Sequence, residues 1–109
     1  MDMIGRSNQA RRTVLIEGAA LSRRIIDALA QSAASYTRLE VETSLNAAAS
    51  DHVSFLNAGI PAVLTIEGAD STNEAVHSAR DTLDTIDYEL ALDILRMNVA
   101  FVAAELGLV

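Results

Sequence analysis

The sequence predicts a single α/β domain, and three observations carry that expectation. TVLIEG, residues 13–18, is a β-branched apolar run closed by glycine, and an amphipathic segment with helical spacing follows it directly. Two further strand-like runs, LEVETSL and IPAVLTIEG, lie downstream. Half of the 109 residues are hydrophobic, and the only four aromatics are Tyr36, Phe55, Tyr88 and Phe101, a composition suited to one core packed with aliphatic side chains.

Each element can be justified in chain order. DMIG, residues 2–5, is too short for periodicity to classify, and RSNQARR after it reads as a polar connector. TVLIEG reads as a short buried strand. AALSRRIIDALAQSAA then sets Leu21, Ile25, Ala28, Leu29 and Ala33 on one helical face, with Arg23, Arg24 and Asp27 between them. In LEVETSL, Leu39, Val41, Thr43 and Leu45 alternate with Glu40, Glu42 and Ser44, the pattern of a half-exposed strand near a sheet edge. SDHVSFLNAG predicts a short helix with Ser50 or Asp51 as its cap and Gly59 as its stop. IPAVLTIEG predicts a buried strand with Pro61 confined to its first residues. Residues 68–87 form a long acidic connection of the kind that tends to carry function. The last helix is expected over about 87–106, with Asp87 a candidate cap, Gly107 a terminator, and a stripe of Leu90, Ile94, Met97, Phe101 and Ala104 against the sheet.

Charge narrows the function. Fifteen acids against eight bases, all of them arginine, leave a net charge of −7, which argues against nucleic acid as a partner. Arg6, Arg11, Arg12, Arg23 and Arg24 stand early, whereas Glu67, Asp70, Glu74, Asp81, Asp84, Asp87, Glu89 and Asp93 crowd one later segment suited to a metal or an amine. Cysteine is absent, so disulfides and thiolate chemistry are excluded. No basic, apolar leader opens the chain and no apolar run reaches the roughly 18 residues of a membrane span, so the expectation is a soluble chain of unassigned compartment. In AVHSARDTLDTID, residues 75–87, His77 reads in two ways: as a solvated histidine in an acidic loop, or as half of a metal site. His52 reads as a packing or hydrogen-bonding residue, and Asp84 and Asp93 as a solvated face.

Three motifs in order, DMIGR, SDHVSFLNAGIPAV and HSARDT, resemble the C-terminal half of the zinc aminopeptidases of the M28 type, whose relatives include glutamate carboxypeptidase and glutaminyl cyclase. The resemblance covers nearly the whole chain. It implies a mixed sheet of about four neighbouring strands with helices packed on it, half of a zinc-aminopeptidase-like domain. It also implies a pair of zinc ions held by five protein ligands. Asp2 matches one of these and His77 another, one ligand for each ion. Asp81 and Thr82 match a supporting pair behind the ligands, and Asp51 matches an aspartate near the substrate pocket. The other ligands and the general base of the family belong upstream of residue 1. The expectation is therefore the C-terminal portion of a peptidase that cleaves at a free amino terminus, begun at a central strand and inactive alone. Its missing half would be supplied by the parent chain or by a complementing subunit. An exposed sheet edge or apolar face is expected to drive self-association. The alternative reading is a non-catalytic α/β interaction or dimerisation module derived from that scaffold.

Overall fold

A computed structural model describes residues 1–109. Strand β1, Thr13–Glu17, is the centre of a three-stranded sheet of order β2-β1-β3. β2, Glu40–Ser44, runs parallel to it, with Leu15 opposite Glu42. β3, Leu64–Glu67, runs antiparallel, with Leu15 opposite Ile66. The parallel pair is joined through helix α1, Arg23–Tyr36, as parallel pairing requires a crossover. Helix α2, Asp51–Asn57, precedes β3, and helix α3, Tyr88–Glu105, closes the chain.

The expected fourth strand is not formed. The Asp2 amide donates to the Thr65 carbonyl (3.2 Å) and the Met3 carbonyl accepts from the Glu67 amide (2.9 Å), so the first residues do lie along β3. Met3, however, takes a left-handed backbone (φ 49°), which breaks the extended run after a single residue and prevents a ladder. The DMIG segment is thus an irregular edge on a mixed sheet of three strands.

The core is built on one face of this sheet. Val14 and Ile16 of β1 pack with Ile26, Leu29 and Ala33 of α1 and Leu90, Ile94 and Met97 of α3. The α1 register differs from the expected one: Ile26 is inside and Leu21 is 45 % exposed. The cause is Ser22, whose buried hydroxyl donates to the Ala62 carbonyl (2.6 Å) and accepts from the Ala62 amide (3.1 Å), so that Ala20–Ser22 makes a 3₁₀ turn and the α-helix starts only at Arg23. In α3, Phe101 is only partly buried and Ala104 is exposed, because the helix outruns the sheet beneath it. Pro61 lies outside β3, which begins at Leu64. Gly59 (φ 77°) and Gly107 (φ 72°) end α2 and α3 in the left-handed conformation that glycine adopts without a Cβ clash. Neither Ser50 nor Asp51 makes a side-chain cap hydrogen bond on α2, whereas Asp87 caps α3 by accepting from the Glu89 and Leu90 amides (3.1 and 3.2 Å).

Candidate metal centre

The residues singled out for chemistry fall in two places. Asp2 and Asp51 line one cleft of about 630 Å³, together with His52, Phe55, Leu64 and Phe101. α2 delivers Asp51 and His52, and the hydrogen bond from the Asp2 amide to β3 fixes the approach of residues 1–3. His52 is buried. Its Nε2 lies 3.1 Å from Glu17 Oε1, yet off the hydrogen-bond direction, so neither ring nitrogen has a hydrogen-bonded partner. Glu17, also buried, accepts instead from the Ala48 amide (2.8 Å).

His77 lies outside that cleft, exposed, in the turn Ala75–Ser78. The turn is closed by the Ser78 amide and hydroxyl, which donate to the Ala75 carbonyl (3.1 and 2.6 Å). His77 itself is left-handed (φ 57°). Asp81 lines a smaller cavity of about 190 Å³ with Met3, Glu67, Asn73 and Val76. Thr82 stands at the start of the 3₁₀ turn Leu83–Thr85 and donates its hydroxyl to Asp84. That hydrogen bond draws the Asp84 carboxyl below the usual range.

Glu67 entered the sequence reading only as one of the crowded acids, with no role of its own, yet it joins the two places. Only 1 % exposed, its carboxylate accepts from the Arg6 amide (2.8 Å), the Asn73 side-chain amide (2.7 Å) and that of Asn8 (3.3 Å). Asn73 in turn accepts from the Ala75 amide (3.2 Å). A chain of hydrogen bonds therefore runs from the segment after Asp2, through Glu67 and Asn73, to the turn that holds His77. A sequence signal existed: Ile16-Glu17-Gly18 and Ile66-Glu67-Gly68 each end an apolar strand in a carboxylate, and a charge closing a buried strand must be hydrogen-bonded there.

No group of three or more His, Asp or Glu side chains is close enough to hold a metal ion. The chain's own residues therefore do not fit a complete zinc site, which needs about three to four protein ligands.

The sequence profile of peptidase family M28 matches residues 1–102. The chain belongs to peptidase family M28. Solved structures agree with that assignment. LapB of Legionella pneumophila superposes on this M28 chain with a TM-score of 0.80 at 26 % identity, over 97 % of this chain and 30 % of LapB. The LapA aminopeptidase of the same organism gives 0.78 at 25 % identity, over 93 % of this chain and 28 % of LapA, and a second LapA structure gives 0.80 at 28 % identity. The M28 chain thus spans less than a third of the length of these structures. No curated protein matches it significantly. The mixed α/β architecture expected of the family is the one observed. No helix is long and apolar enough to cross a membrane.

Proposed function

We propose that this M28 chain is the C-terminal portion of a dizinc aminopeptidase catalytic domain, acting on peptides at a free amino terminus. Asp2 and His77 each supply one zinc ligand, Asp81 and Thr82 support them, and Asp51 shapes the substrate pocket. The observation that carries the reading is where the backbone is strained. Three non-glycine residues are left-handed, Met3, Ala69 and His77. One follows Asp2 directly and another is His77, so strain of roughly 1–2 kcal/mol per residue sits beside one matched ligand and on the other, as is common at functional sites. The shared cleft of Asp2 and Asp51 supports the same reading.

A hydrolytic zinc site needs about three protein ligands and a base for the attacking water. The chain offers two ligand positions and no base, so turnover requires side chains it does not carry. The purified chain with added zinc should show no hydrolysis of an aminoacyl p-nitroanilide above buffer. Robust turnover abolished by His77→Ala would sink the claim of incompleteness. In a chimera where this chain replaces the matching portion of LapA, His77→Ala should lower the bound zinc by one ion per chain, and an unchanged zinc content would remove His77 from the ligand set. The second reading, a non-catalytic interaction module, is favoured by one observation, the exposed apolar face of α3.

A further inference from the structure

α3 is apolar on two sides. Its inner side, Leu90, Ile94 and Met97, belongs to the core. On the other side Tyr88, Leu92, Leu95, Val99, Val102 and Leu106 are each between 43 % and 68 % exposed. Their spacing alternates four and three residues along the whole helix, the repeat that lets one helix meet another as a left-handed coil. No charged residue interrupts it, although Glu89, Asp93 and Arg96 lie just beside it. At these fractional exposures the six residues present on the order of 600 Å², the lower end of the roughly 600–1,000 Å² per partner that a standard stable interface buries and the upper limit of the apolar patch a typical monomer shows.

We propose that this seam is a dimer interface, in which α3 of one copy packs antiparallel against α3 of a second copy of this chain. Charge sets the direction. A parallel pair would bring the acidic first turns, Asp87, Glu89 and Asp93, side by side and align the helix dipoles, whereas an antiparallel pair separates the first and opposes the second. The seam itself sets the register. With Leu95 opposite Val99 of the second copy, Leu92 meets Val102 and Tyr88 meets Leu106, so all six side chains take part. The C-terminal half of the seam is already concave: Val99, Val102, Ala103 and Leu106 line a groove of about 320 Å³, the hole that Leu92 of the second copy would enter.

Sedimentation equilibrium of the 109-residue chain should show a dimer at micromolar concentration. Val99→Glu, exposed in the monomer and outside the core, should keep the circular dichroism spectrum and weaken dimerisation at least about 100-fold by burying an unpaired carboxylate. Ile60→Glu, on another exposed apolar site, should leave the dimer intact. Because the chain has no cysteine, direction can be read by cross-linking. A mixture of Leu95→Cys and Val99→Cys chains should oxidise mainly to the mixed disulfide, whereas a parallel pair would give each chain bonded to its own kind. A monomer at about 100 μM, the concentration scale at which a millimolar pair would already show, leaves this face to another part of an M28 domain and overturns the proposal. So does a dimer that survives Val99→Glu, or one that Ile60→Glu abolishes.

Discussion

Asp87 concentrates several functions in one side chain. One oxygen caps α3, and the other accepts from Ser7 (2.7 Å) and Arg12 (2.8 Å), while its own amide donates to the Gly5 carbonyl (2.7 Å). The Arg12 hydrogen bond first, then Ser7 and the helix amides, outweigh desolvation and pull the carboxyl down to about 2. A carboxyl depressed on folding stabilises above its unfolded pKa, about 3.9, and that contribution is lost as pH falls toward the folded value. Stability measured by denaturant should therefore decline between about pH 4 and pH 2. Asp87→Asn, which keeps the capping oxygen but not the charge, should flatten that part of the profile; an unchanged slope would assign the acid sensitivity elsewhere. His77 makes the opposite test. If its left-handed backbone is kept for a ligand and not for the fold, His77→Gly should raise the unfolding free energy by about 0.5–1 kcal/mol, the relief of that conformation less the entropy glycine adds to the unfolded chain. A destabilised His77→Gly chain would show instead that the imidazole supports the turn.

At the scale of elements, β3 and the acidic connection depend on one buried carboxylate. Glu67→Leu leaves the Arg6 amide and the side-chain amides of Asn8 and Asn73 without their acceptor, a cost of about 3 kcal/mol or more. It should also speed amide exchange at Asn73–Ser78 before global unfolding. A loss below about 1 kcal/mol with exchange unchanged would mean that water replaces the carboxylate. Period and composition made three strands and three helices legible, because each buries one face and repeats at its own period. The phase of α1 was not legible. Its hydrophobic pattern allows a start at Ala19, and only the long-range pairing of Ser22 with Ala62 delays it. The fourth strand failed for the same kind of reason, since two hydrogen bonds to β3 look strand-like until the backbone reverses at Met3. Caps divided as their geometry allows: Asp87 reaches its amides, while Ser50 and Asp51 do not reach those of α2.

For the molecule as a whole, the motifs identified the family, and the fold then separated residues that the motifs had grouped. Asp2 and Asp51 share a cleft, whereas His77 stands on a turn outside it, a relation set by Glu67 and Asn73 that no short motif records. The net charge of −7 and the apolar seam on α3 bear on association together, the first repelling copies and the second offering the face proposed for their contact. The placement of the only two histidines has a consequence of its own. His52 is sealed in the cleft with no hydrogen bond to either ring nitrogen, and His77 lies open on the turn, so each motif carries its own imidazole and no third one crowds the spectrum. In a nitrogen-15 correlation map of the ring resonances of the isotope-labelled chain, the molecule would report on pocket and turn separately, one imidazole pattern for each.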